Sequence, residues 1–141
     1  NRNTTISLIL QGFGYVPMYV SKRHAIDNYL KHFKLETNSK EFYIFKEGYK
    51  YPILERRDNT EICSHFILNS IEESLDINPE YVLLNGFKID IDKFLEVINL
   101  FSTVTQDNKL EFKERIDSMF NNTGLGFMYK EAIYQVKKND K

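Results

Sequence analysis

Helical periodicity in the last third of the chain constrains the fold more than any other feature. Ile91, Phe94, Leu95, Ile98, Phe101 and Val104 recur at three and four residues, the spacing that lines up one stripe of an α-helix. A stripe of that width needs an apolar partner. Phe112, Ile116, Met119 and Phe120 supply one, in a second helix that Asn108 and Glu111 open as a capping box and Gly124 ends. Beyond it, Gly126 to Tyr129 and Ile133 to Val136 are β-branched and aromatic around Lys130, Glu131 and Ala132, which predicts a short hairpin.

The N-terminal half adds strands. Thr4 to Leu10 is a buried-strand run that Gly12 and Gly14 break, and Tyr15 to Val20 is a second strand placed at an edge by Pro17. Ser21 is the N-cap expected for a helix with Ala25, Ile26, Tyr29, Leu30 and Phe33 on one face. Residues Glu41 to Leu54 alternate about a turn at Glu47 and Gly48, a hairpin pattern. Asp58 with Glu61 reads as a capping box opening a helix whose stripe is Ile62, Cys63, Phe66, Ile67, Ile71 and Leu75. Near Tyr81 to Ile89, Asn85-Gly86 favours a type I′ hairpin over a helical turn begun at Pro79 and Glu80. The sum is a single compact α+β domain over residues 1–141, with about four helices and two or three short β-hairpins.

Composition narrows function mostly by exclusion. Nineteen basic and twenty acidic side chains leave a net charge of −1, so no global field draws the chain to nucleic acid or to an anionic membrane. No apolar run approaches the roughly 20 residues of a membrane-spanning helix. The first ten residues lack a signal-peptide layout, and the lone Cys63 suits a reducing compartment, so the expected location is cytoplasmic. At 42% hydrophobic and 14% aromatic, the chain has the apolar surface to form a core.

Several residue sets invite chemistry, and each has a plainer alternative. Gly12-Phe13-Gly14 lacks the third glycine and the lysine of a phosphate loop and reads as a strand exit. Cys63 and His65, two apart on the expected helix, point to different faces and do not form a metal pair. Glu61, His65, Asn69 and Glu72 share that helix's polar face, where His65 with Glu61 is the candidate acid–base pair of a nuclease or hydrolase. Asp90 and Asp92 could hold a hard cation, but acidic residues at a helix start favour capping. Lys22, Arg23, Lys31, His32 and Lys34, with Arg56 and Arg57 nearby in sequence, form the candidate nucleic-acid surface. No cofactor is called for.

The segment Glu111 to Val136 resembles the closing helix and hairpin of N-terminal domains in abortive-infection proteins of the AbiJ type. Phe120, Gly124, Leu125, Gly126, Phe127 and Ile133 carry the likeness, and the helix from Phe94 to Phe101 fits in position. The resemblance implies a sensor or adaptor ahead of an effector such as a HEPN ribonuclease, in a longer bacterial protein. The arginine and histidine spacing of such a nuclease is absent, since Arg23 to His32 and Arg57 to His65 are too far apart. The expectation is therefore a non-catalytic protein-interaction or sensor module of an anti-phage defence system, partnered by another protein. The alternatives are a small hydrolase, a nucleic-acid-binding module and a phage-encoded protein inhibitor.

Overall fold

The computed structural model describes residues 6–130. It forms one α+β unit of four helices and six strands in a single sheet among those residues. In chain order these are β1 (Ile9–Ser21), α1 (Ala25–Phe33), β2 (Phe42–Lys46), β3 (Tyr49–Glu55), β4 (Thr60–Asn69), α2 (Ile71–Ile77), β5 (Tyr81–Leu84), α3 (Ile91–Thr103), α4 (Lys109–Met119) and β6 (Thr123–Gly124). The sheet order is β2-β3-β4-β1-β5, and β6 pairs with β4. β2–β3 and β3–β4 are the two hairpins. β4 is flanked by β1 on one side, while its other edge is shared by β3 at Thr60 to Ile62 and by β6 at Ile67 and Leu68.

That central position explains the largest departure from the sequence reading. The segment from Asp58 to Leu75 is a strand followed by a short helix, and Asp58 with Glu61 caps nothing helical. A strand covered on both faces carries a nearly continuous apolar run, which imitates three-and-four spacing. Here Ile67 faces the helical layer, while Phe66 meets Gly126 on the other face.

β1 is likewise one strand where two were expected. Pro17 is accommodated because the β1–β4 register shifts on both sides of it, the bulge position in which a strand tolerates a missing N–H. Gly12 and Gly14 do not break the strand; they let neighbours approach. A Cβ on Gly12 would lie 2.4 Å from Val82 Cγ1, and one on Gly14, whose φ is +105°, would lie 2.2 Å from the Asn85 carbonyl oxygen.

Tyr81 to Leu84 pairs in parallel with β1, so Asn85-Gly86 makes no hairpin. Asn85 instead donates from Nδ2 to the Tyr15 carbonyl and accepts the Phe87 N–H, turning the chain towards α3.

α2, α3 and α4 cover the face bearing Phe13 and Ile67. The buried cluster is Phe13, Ile67, Ile71, Val97, Leu100 and Ile116. Phe13 is fully buried, with ring centroids 6.3 Å from Phe94 and 5.4 Å from Phe120. On α3 the buried stripe is therefore rotated from the expected one: Phe94, Val97, Leu100, Phe101 and Val104 face inward, while Ile91, Leu95 and Ile98 are exposed. Both stripes obey helical spacing, and the sheet takes the one centred on Val97 and Leu100.

Three end signals also shift. Ser21 ends β1, and α1 starts four residues later. Asn108 does not close a capping box; its Oδ1 accepts the Thr105 N–H. α4 ends at Met119 with Phe120 extended, and Gly124 belongs to β6. The expected first hairpin strand from Gly126 to Tyr129 is a pair of turns, closed by Met128 N–H to Leu125 O and Lys130 N–H to Phe127 O. Its expected second strand, Ile133 to Val136, and the start of the first run at Thr4 lie outside the described residues. No described helix is long and apolar enough to cross a membrane.

Candidate functional site

α1 is amphipathic and nine residues long, yet none of its residues is buried. A helix this short is marginal by itself and ordinarily depends on burying its apolar face. What secures this one is its N-terminus. Glu55, at the end of β3, accepts the Ile26 N–H at 2.8 Å and the Asp27 N–H at 3.1 Å, and Thr60 Oγ1 accepts the Ala25 N–H at 3.0 Å. The sheet thus satisfies the donors that Ser21 was expected to cap. Burial pushes the Glu55 carboxyl up, but the hydrogen bonds from Ile26, Thr60 and Asp27 and the nearby His24 outweigh it and hold the group below its usual range.

Held at one end, α1 stands beside the β2–β3 hairpin and leaves a groove between them. Its apolar half, about 630 Å³, is lined by Ala25, Ile26, Tyr29, Leu30, Leu35, Phe42, Ile44 and Ile53. Its second half, about 540 Å³, shares Ile26, Leu30, Phe42 and Ile53 and opens among His24, Lys40, Arg56, Arg57 and Lys88, with Asp27 and Glu55 as the only acids. Tyr29, on the groove wall, meets Phe33 one turn on, with ring centroids 4.7 Å apart and planes tilted by 49°. The groove is therefore greasy along one stretch and cationic at the next.

The cations are only partly neutralised. Arg56 Nε lies 3.3 Å from Glu61, and Lys88 Nζ is 3.8 Å from Glu41 and 3.9 Å from the centre of the Tyr43 ring. Lys88 Nζ is buried with no hydrogen-bond acceptor. Lys50 lies on the same Tyr43 ring at 3.7 Å. Burial, with the hydrogen bond to Glu41 next, raises the Tyr43 phenol above its ordinary value. Around this lobe the chain's charge is segregated: residues 22–57 hold nine basic and five acidic side chains, residues 58–130 six basic and thirteen acidic.

The catalytic candidates do not converge. Glu61 and Cys63 lie on one face of β4, but across the register shift that follows them His65 packs on Tyr49 and Tyr51, on the face that the Ile53–Ile62 pairing sets opposite Glu61, and Glu72 is carried away on α2. His65 is packed among aromatic rings, with centroids at 4.2 Å from Tyr49 and 5.3 Å from Tyr51 and from Phe66. Glu61 meets Arg56 and Asn59. No hydrogen bond joins His65 to a carboxylate among the described residues. Asp90 Oδ1 accepts the N–H groups of Asp92 and Lys93 and so caps α3.

His24, Asp27 and Glu55 place ligand atoms within 4.8 Å of one another, the one such cluster among the described residues. Both Glu55 oxygens already hold helix N–H groups, so this carboxylate serves as the cap of α1. Lys22, Arg23, Lys31, His32 and Lys34 are all exposed around α1 and form no ion pair among the described residues. Lys31 and His32 fall in its last turn, where positive charge suits the helix dipole.

Sequence reasoning missed Lys40, Tyr43, Glu55 and Lys88 as groove residues, because they come together only through the hairpin and the turn before α3. The usable signal was an amphipathic helix too short to be stable unless something covers it. Neither a known family nor a curated protein nor a solved structure matches the chain.

Proposed function

We propose that this chain is a non-catalytic protein-interaction module whose α1–hairpin groove receives an acidic, amphipathic segment of a partner protein. The observation that carries the reading is an amphipathic helix with no buried residue, standing over an apolar groove that ends in cations. Amphipathic segments lay their apolar side chains in such a groove, and acidic neighbours match its basic rim. Ile26, Leu30, Ile44 and Ile53, with Tyr29, Phe42 and Tyr43 among them, give the groove the mixed aliphatic and aromatic walls that suit apolar peptide side chains. The likeness of the C-terminal segment to abortive-infection proteins suggests the partner class: an effector domain or subunit of an anti-phage system that this module senses for or restrains.

The test is a titration of the 15N-labelled chain with a synthetic helical peptide bearing leucines on one face and glutamates elsewhere. Amide shifts confined to α1, β2 and β3, weakened by Tyr29→Ala and by Arg57→Glu, support the reading. Absence of shifts, or shifts on another face, refutes it. Retention of single-stranded RNA at low salt, lost on Lys31→Ala with Lys34→Ala, would replace it with nucleic-acid binding.

A further inference from the structure

We infer that, until such a partner displaces it, the groove's occupant is a second copy of this chain, which seats the outer stripe of its α3 there and so assembles head to tail. This rests on the groove reading above and names the occupant. The chain displays the segment that the groove asks for. Ile91, Leu95 and Ile98 stand at i, i+4 and i+7 on α3 and are 64%, 56% and 39% exposed. Asp90 and Asp92 flank their start, Glu96 is paired with Arg115 of α4 at 2.7 Å, and Lys93, the one cation of α3, is turned away to donate to the Met119 carbonyl.

Charge and size agree. The stripe belongs to the part of the chain with thirteen acidic and six basic side chains, and the groove to the part with nine basic and five acidic. At 1.5 Å per residue the stripe is roughly 10 Å long and α1 roughly 13 Å, so the one fits along the other.

Within one molecule the stripe does not occupy the groove: α3 packs over β1, with Phe101 against the Gly12 position, and leaves Ile91, Leu95 and Ile98 exposed. A patch that fits a different patch of the next copy makes a heterologous interface, which continues from copy to copy until a ring closes.

The experiment is sedimentation of the full chain from micromolar to submillimolar concentration, with circular dichroism to verify folding. Wild type is expected to gain mass with concentration and to lose it as salt rises. Tyr29→Ala removes the groove wall and Leu95→Lys removes the stripe; both sites are more than half exposed, so the fold is retained. Each variant alone is expected to associate about ten-fold or more weakly. Mixed, they have one intact groove and one intact stripe, so they form 1:1 dimers and stop there. Ile91→Lys is the second stripe variant.

A wild-type chain that stays monomeric throughout, a mixture that yields no dimer, or stripe variants that assemble as wild type each overturn the inference. If the leucine–glutamate peptide still binds a monomeric chain, this inference falls alone. If the peptide does not bind and Tyr29→Ala leaves assembly unchanged, the groove reading falls with it.

Discussion

Replacing Glu55 by alanine isolates how α1 is held. The carboxylate receives two backbone N–H groups of the helix and the Thr60 hydroxyl at 2.8 Å. Loss of an N-cap costs about 1–2 kcal/mol. Because α1 buries none of its residues, little else opposes its release, and the loss is expected to appear as local opening more than as global unfolding. A change of about 1–2 kcal/mol raises the open fraction of the helix about 5- to 30-fold. Amide exchange reads this directly. Protection of the Asn28 N–H, bonded to the His24 carbonyl at 3.0 Å, should fall by that factor while β1 and β4 amides keep theirs.

Glutamine in place of Glu55 keeps the shape but turns one of the two accepting oxygens into an NH2 donor facing a helix N–H, so it should also cost about 1 kcal/mol or more. The pH dependence has a definite sign. A carboxyl held below its usual range adds stability above its unfolded pKa, and that contribution disappears as pH falls through the lower, folded value. Wild-type α1 should therefore loosen in acid, and the alanine variant should show no such step. Unchanged α1 exchange in the alanine variant would refute the anchoring argument.

Three further outcomes test the packing. Cys63 is 2% exposed and burial, with Glu61 next, pushes its thiol up to about 11, so alkylation at neutral pH should be negligible until the chain is unfolded; rapid labelling of the native protein would contradict this. Gly14→Ala meets both a φ of +105° and the Asn85 carbonyl, and denaturant melts should show a loss of about 3 kcal/mol or more, while a near-wild-type midpoint would exclude the β1–Asn85 contact. Ile116→Ala should cost about 2–5 kcal/mol and Leu95→Ala within about 0.5 kcal/mol, and equal costs would mean that α3 presents the other stripe to the sheet.

Much of the architecture was legible from local signals. Helices α3 and α4 follow from apolar spacing, and the Glu47-Gly48 hairpin and the Asp90 cap from turn and end chemistry, all acting within a few residues. β4 was not legible, because its neighbours decide it. Thr60 to Asn69 has the apolar spacing of a helix, and pairing on both edges makes it a strand. The same non-local logic hid the groove: Glu55 reads as one more surface acid until the hairpin brings it under α1, and Lys88 reads as a loop lysine until it meets the Tyr43 ring. His65, singled out in the sequence as a chemical group, packs among aromatic rings that only the folded hairpin brings to it.

The long antiparallel pairing of β1 with β4 also sets the timing of synthesis. Phe13 is matched with Asn69, so the first strand leaves the ribosome well before its main neighbour exists. At about 5–20 residues per second it waits roughly 3–11 s with its backbone donors and acceptors open. A nascent chain stalled inside that interval would expose Phe13 and the apolar run around it, which makes the early strand the natural place for a chaperone to hold.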